Sequence, residues 1–590
     1  MEHRPSRVNP RYVLTAFLTG AAVMIAEIAA ARAIAPHFGT SIIVWTNVIG
    51  IILVALSIGY WIGGRLSERC VPTPTRSPSQ REGEKEKDFP TSRREGGCGG
   101  EGERVLGAII LAAGALLIIP AFAVPVIAGS MIGNLFRFGS GFLVLFIGSF
   151  FSVVILFALP IFLLGMVSPF LVKLATIGRS DAGAIAGKLY AISTIGSLVG
   201  TFLPTLVLLP TIGTRWSILS AAAVLIALGV ALIARRRVAA MAGVVVFVFA
   251  LVPDHAPSWL LGGTVVAAAE SRYQYLRIVD VEPSNSSIPS KDAWESEAPR
   301  RDRFLVFNEG LGVQSVAVDP HYWPGGYFSA IAALPELIFL QGEPLRDPGL
   351  VGAKVGQSPS SFAGRDERDP VRVLILGNAG GTIGNLMQRF FPRRSFAITG
   401  VEIDPAVTAI TAAHFPPPPH PYSIVHADSR AFVRQSNEQY DIVVVDAYTN
   451  QLTIPPHLAS VEFFQLLKQR ISPTGMVVAN VNAPHAESPL FRTIAQTMAD
   501  VFPHVEEGHS GAWNRIIIAG LGPFDFERLR SALPPRGQRA SIIDLEELLY
   551  SLRSVTRDPA LRIFTDDWAP LELMTDFEIF EALRSRRNNL

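Results

Sequence analysis

Residues 371–390 read VRVLILGNAGGTIGNLMQRF. Val371–Leu376 is a short apolar run rich in β-branched residues, the pattern of a strand buried on both faces. Gly377, Gly380 and Gly381 follow, and then a stretch with helical spacing. Glycines let a backbone turn sharply and approach a ligand closely. A helix that starts after such a turn presents free N–H groups to an anion or a polar ligand. One glycine turn is a weak sign by itself; the flanking segments strengthen it.

FAITGVEIDPAV (396–407) has the pattern of a second buried strand, ending at Glu402. A carboxylate about 20 residues beyond a glycine turn is placed to accept hydrogen bonds from ribose hydroxyls. YSIVHADSRAFV (422–433) gives a third strand ending at Asp428, and YDIVVVDAYTN (440–450) a fourth ending at Asp446. The helical run SVEFFQLLKQRI (460–471) and the strand SPTGMVVANVN (472–482) come next. Strands that alternate with helices imply a Rossmann-like, doubly wound parallel sheet, whose ligands lie beyond the carboxyl ends of the strands. Glu402, Asp428 and Asp446 all sit at such ends. Three acids in succession behind a glycine turn favour a nucleoside site; the competing explanation is capping of the following helices, which applies to some of them in any case.

Upstream, YLRIVDVE (275–282) and RFLVFNEG (303–310) read as antiparallel strands of a small β-rich subdomain over 265–340. Segments 281–302 and 341–370 read as loops, 371–525 as the sheet domain and 526–590 as a C-terminal extension holding TDDWAPLE (565–572).

The first 253 residues differ. The whole chain of 590 residues is 49% hydrophobic and only 17% charged, with mean hydropathy +0.34. Soluble domains carry about a quarter charged residues. Apolar runs at roughly 12–35, 41–63, 105–129, 141–168, 189–212, 216–234 and 238–253 approach or exceed the ~20 residues a bilayer span requires, so the N-terminal part reads as a multi-spanning α-helical membrane bundle in contact with lipid. The last run is short enough to be interfacial or re-entrant. Arginines 4, 7 and 11, the basic residues of segment 65–104 and the Arg235–Arg237 run place the N-terminus inside. Segment 65–104 reads as a disordered loop whose acids nearly cancel its bases. Glu27 and Arg32 lie inside the first span, where charge is costly; a solute site within the bundle and simple snorkelling stay open as readings. Net charge is +1, with no pull toward nucleic acid. Cys70 and Cys98 make neither a disulfide framework nor a metal site.

The order LGNAGG, VEID, ADSR, YDIVVVDAY, PPHL, EFF and GMVVANV resembles the spermidine synthase family of polyamine aminopropyltransferases. ESRYQYLRIVD (270–280), RFLVFNEGLGVQS (303–315) and GGYFSAIAALP (325–335) extend the resemblance upstream, and AEIAAARAIAPHFGTSIIVW, GYWIGGRL and GKLYAISTIGSLVGTFLPTLVLLPTIG are similar to the spans of membrane-fused spermidine synthase-like proteins.

The resemblance implies a transferase without a metal or a tightly bound cofactor. Its co-substrate would be decarboxylated S-adenosylmethionine, whose aminopropyl group passes to an amine such as putrescine, releasing methylthioadenosine. It gives Asp446 the role of general base. Glu402 would hold the ribose, Asp428 the adenine amino group, and Gln274, Gly377, Gly380 and Gly381 the rest of the nucleoside side. Gln314 and Tyr327 would face the amine. The chain departs from the family at Gly380 and Thr449, where acids are usual, and at Phe328, where glutamine is common; no later amine-channel tyrosine is evident around SGAWNRIIIAG (510–520). Two other readings remain: an S-adenosylmethionine-dependent methyltransferase, and a non-catalytic nucleoside-binding domain regulating a transporter-like bundle. The family implies a cytoplasmic catalytic domain and a homo-oligomer. Seven spans would put that domain outside, so either 238–253 does not cross or the count of seven is off by one; the expectation is the cytoplasmic placement that the donor requires.

Overall fold

The computed structural model describes residues 8–38, 42–71, 92–135, 141–177, 179, 181–233, 263–282, 302–308, 312–318, 324–340, 370–449, 453–511, 513–532, 543–575 and 577–578. Contacts divide the chain into two compact units, Met1–Pro257 with Glu270–Arg272, and Ser258–Ala269 with Tyr273–Leu590.

The first unit is helical: α1 (Pro10–Phe38), α2 (Ile42–Cys70), α3 (Ser92–Ile118), α4 (Pro120–Leu135), α5 (Gly141–Val153), α6 (Leu159–Ala175), α7 (Ala182–Leu203) and α8 (Leu209–Ile233). Single π-helical turns, Val154–Ala158 and Pro204–Leu208, join α5 to α6 and α7 to α8. The closest pairings are α1 with α7, α2 with α6 and α3 with α8. Small residues set them: a Cβ at Gly196 would overlap the Phe17 carbonyl oxygen, and one at Gly200 that of Ala21, so only glycine lets α7 lie this close to α1. Asn47 supplies a polar tie, donating to the Phe146 carbonyl at 2.9 Å and to Ser149 Oγ at 2.8 Å.

Among the described residues, five helices are long and apolar enough to cross a bilayer: Pro10–Phe38, Ile43–Cys70, Phe146–Ala175, Ala182–Leu208 and Thr211–Ile233. Gly100–Ile118 and Pro120–Ala128, bent by 46°, make a sixth if they form one span. Six of the apolar runs seen in the sequence therefore lie on these helices, and 238–253 falls outside the described residues. Segment 65–104 is not a loop throughout. Helix α2 runs on to Cys70 and α3 begins at Ser92; Glu103 of α3 accepts a hydrogen bond from the Tyr12 hydroxyl at 2.6 Å. Glu27 and Arg32 are both half-buried on α1.

The second unit opens with a four-stranded sheet in the order β1 (Thr264–Glu270), β2 (Tyr275–Val281), β3 (Asp302–Phe307), β4 (Val313–Val316), followed by α9 (Tyr327–Ala333) and α10 (Pro335–Leu340). Then come β5 (Val371–Leu376), α11 (Thr382–Phe390), β6 (Phe396–Val401), α12 (Pro405–His414), β7 (Ser423–Val425), α13 (Ser429–Gln435), β8 (Tyr440–Val445), α14 (Val461–Lys468), β9 (Ile471–Asn482), α15 (Pro489–Val501), β10 (His504–Ser510), β11 (Asn514–Gly520), α16 (Phe526–Ala532), α17 (Ile543–Ser551) and β12 (Arg553–Ser554).

These strands form one eight-stranded sheet, ordered β12-β10-β11-β9-β8-β5-β6-β7. Strands β7, β6, β5, β8 and β9 are parallel, while β11, β10 and β12 continue the sheet antiparallel. Alternation along the strands feeds two cores. Val373, Ile375, Ile442, Val444, Met476 and Val478 face one side with Phe328 and Ile331 of α9. Leu374, Leu376, Val443, Val445, Val477 and Ala479 face the other with Phe463 and Phe491. The small sheet packs Leu276, Ile278, Leu305 and Phe307 against Val407 and Ile410 of α12. The C-terminal part is thus the α/β doubly wound fold expected, with a small β subdomain before it and an antiparallel edge in addition.

Candidate active site

Leu376 pairs with Val401 on one side and Val445 on the other. The turn after β5 is therefore flanked by Glu402, just past β6, and Asp446, just past β8. Asp428 follows β7 one strand further out, and Asn480 on β9 lies beside Asp446. With strands about 4.8 Å apart, Glu402 and Asp446 stand roughly 10 Å from each other across the glycine turn. One edge of the sheet thus brings together the residues at 377–381, 402, 428 and 446.

Gly377 is in the left-handed region, φ 87°, and a Cβ there would overlap the Asp446 carbonyl oxygen, so glycine is required twice over. Gly381, φ 80°, opens α11. Ala379 also has positive φ, 44°, unfavourable for a residue with a side chain. Its N–H donates to Glu402 Oε2 at 2.9 Å, while the other oxygen of Glu402 accepts from the Asp404 N–H at 3.0 Å. Helix α12 is capped by Asp404, whose carboxylate accepts from Ala406 N–H, which frees Glu402 from capping. Glu402 is 6% exposed, and burial pushes it up to about 6 against the pull of these N–H groups.

Gly380 donates to Ser315 Oγ at 2.8 Å, and Thr382 exchanges two hydrogen bonds of 2.9 Å with the backbone of Val316. Strand β4, carrying half-buried Gln314, is thereby fastened to the glycine turn. The position of Gly380 is crowded: a Cβ would lie 2.9 Å from Ser315 Cβ and 3.0 Å from Phe415. A side chain there would require Ser315 or Phe415 to shift. Gln274 is buried at the start of β2, next to Tyr275, whose N–H donates to Asn308 Oδ1 at 3.0 Å.

Asp446 is half-buried. Its Oδ2 accepts from the Tyr327 hydroxyl at 3.1 Å, and its Oδ1 accepts from Asn480 Nδ2 at 2.9 Å. Burial pushes this carboxyl up to about 6, opposed by Asn480 and Tyr327. Burial and the adjacent Asp446 charge raise the Tyr327 and Tyr448 phenols far above their usual range, which keeps both as donors. Tyr448 donates to the Asn480 carbonyl at 2.8 Å. Asn480 and Tyr448 were not picked out from the sequence; a polar residue in the strand GMVVANVN was the available signal for the first. Phe328 turns into the core, 4% exposed, and Thr449 closes a turn onto the Thr453 carbonyl.

Asp428 is the capping case. Its Oδ1 accepts from Ala431 N–H at 2.9 Å at the start of α13, and Oδ2 lies 2.9 Å from His457 Nε2. Burial pushes its pKa up, but the Ala431 N–H and His457 outweigh this and hold it low. Asp566, from TDDWAPLE, meets Arg430 in a two-pronged ion pair at 2.6 and 2.7 Å.

Residues 360–509 match the sequence profile of the spermine/spermidine synthase domain. A Bifidobacterium longum protein, named a probable polyamine aminopropyl transferase, is 29% identical over 255 residues, 40% of this chain and 56% of that one. The polyamine aminopropyltransferase of Vibrio vulnificus is 29% identical over 223 residues, 35% of this chain and 70% of its own length. The chain thus spans little more than half of the first of these relatives. Thermotoga maritima spermidine synthase superposes with a TM-score of 0.32 at 15% identity, covering 48% of this chain and 84% of that structure. The C-terminal part of this protein carries a spermine/spermidine synthase domain.

Proposed function

We propose that the protein is a membrane-anchored aminopropyltransferase. The amine nitrogen of an acceptor such as putrescine attacks the aminopropyl carbon of decarboxylated S-adenosylmethionine. The carbon–sulfur bond breaks, its electron pair stays on sulfur, and methylthioadenosine leaves. The sulfonium carries its own activation, so the protein's work is to align the reactants and to take a proton from an amine whose pKa is ordinarily near 10.

The observation that carries this reading is Asp446. It is a carboxylate at a strand end, clamped through both oxygens and with its pKa raised to about 6 by burial. A base of that strength is ionised at neutral pH yet basic enough to share a proton in the transition state. Glu402 would hold the ribose, Asp428 the adenine amino group, the glycine turn and Gln274 the remaining nucleoside contacts, and Gln314 and Tyr327 the amine. Five long apolar helices support anchoring in a membrane, and the donor calls for a cytoplasmic catalytic unit.

Methylthioadenosine release from decarboxylated donor, measured over a panel of amines, tests the reading; no release with any amine counts against it. Gly380 favours one competitor. An acid is missing where it would repel a carboxylated donor, so S-adenosylmethionine belongs in the same panel, with methyl transfer as the readout.

A further inference from the structure

The C-terminal segment TDDWAPLE reaches the sheet edge where Asp428 lies. Thr565 and Trp568 pair across a tight turn, with N–H to carbonyl distances of 3.1 and 3.0 Å, and this puts Asp566 at the tip. Fully buried Phe564 anchors the turn. It stacks on Trp568 at 5.7 Å between centroids, donates to Thr497 Oγ1 at 3.0 Å and accepts from the Val461 N–H at 2.9 Å.

From that anchor Asp566 receives three donors: both terminal nitrogens of Arg430 and Ser460 Oγ at 2.6 Å. Its N–H donates to Glu462 at 3.0 Å. Arg430 also donates to the His457 carbonyl at 3.2 Å. The chain of contacts ends with the His457 ring on Asp428. The Arg430 side chain is 11% exposed, whereas Asp428 and His457 are 37% and 45% exposed. The guanidinium is thus largely covered, while Asp566, itself 43% exposed, and the Asp428–His457 pair lie at the surface. Fork-to-fork pairing fixes the plane of a guanidinium as well as its charge. Without Asp566, Arg430 would turn toward the nearest remaining carboxylates, Glu462 and Asp428, and compete with any ligand of Asp428.

We infer that Asp566 is a positioning residue for the nucleoside end of the site: through Arg430 it holds the His457 loop so that Asp428 is oriented to accept the exocyclic amino group of a purine. This rests on the nucleoside reading above and extends it to a segment more than 100 residues away in the chain.

Calorimetry of the full-length protein in detergent, with methylthioadenosine as probe, tests it. Asp566→Asn should weaken binding about tenfold, as for one lost charge-assisted hydrogen bond. It should raise the KM for the nucleoside donor while leaving kcat within about twofold. His457→Ala should weaken binding similarly, and the double variant should be no worse than the weaker single, because both act through one path. Additive losses, or an unchanged affinity in Asp566→Asn, would overturn the inference. Should Asp566→Asn fail to fold, Arg430→Lys, which keeps the charge but loses the fork, takes its place with the same expected and overturning results. Wild-type protein that binds no methylthioadenosine brings down the nucleoside reading and this inference with it; a binding wild type with unaffected variants brings down the inference alone.

Discussion

Glu402 and Asp446 flank the same glycine turn, and burial raises both to about 6. Their partners differ. Glu402 is held by two backbone N–H groups of the turn and the next helix, and Asp446 by two side chains, Tyr327 and Asn480. Backbone donors cannot turn away, so Glu402 is a fixed acceptor. Side-chain donors from α9 and β9 surround Asp446, and the residue is only partly covered. A raised carboxyl pKa therefore does not by itself single out a base; the kind of donor around it, and whether a reactant can reach it, separates the two roles.

The comparison can be broken most directly at Asp446. Asp446→Asn should lower kcat by about two to four orders of magnitude, the range of a lost general base, with methylthioadenosine affinity unchanged by calorimetry. Equal losses of binding and turnover would erase the distinction. Glu402→Gln should do the reverse, raising the donor KM about tenfold or more, the loss of charge-assisted hydrogen bonds to the ribose, with a much smaller change in kcat. The acid limb sharpens the contrast. Turnover that needs ionised Asp446 should fall about tenfold per pH unit below pH 6. Asn480→Leu removes a donor that favours the carboxylate and should move that limb to higher pH. Stability should show the smallest effect. A carboxyl whose folded pKa lies above its unfolded one destabilises the fold when ionised, so these two sites disfavour folding above pH 6 and that penalty fades as pH falls from 6 toward 4. Asp446→Asn should flatten this part of the thermal-melting profile.

Much of the site was legible because its strands are parallel and end in acids. β-Branched runs named the strands, and each acid followed directly. The glycines at 377 and 381 were legible for the same reason, since left-handed backbone leaves few alternatives. What escaped was whatever depends on strand order. Asn480 is 34 residues from Asp446 and becomes its neighbour only because β9 lies next to β8. His457 comes from a short 3-10 turn, with no periodicity to announce it. The antiparallel edge was missed because β10 and β11, HVEEGHS and NRIIIAG, lack the intervening helix that marks the other strands. In the helical unit, hydropathy found the apolar helices but not their ends, since arginine and glutamate at Arg65 and Glu103 continue helices without being apolar.

Gly377 carries a last consequence. Its α-carbon abuts the Asp446 backbone, its N–H reaches the Val401 carbonyl at 2.9 Å, and the Asp446 N–H reaches the Leu376 carbonyl at 2.9 Å. The loop that would cradle the donor and the residue that would deprotonate the acceptor therefore share a wall of backbone contacts. Any aim of nucleophile at electrophile is machined into the sheet as the chain folds, and arriving substrates need only fall into line with it.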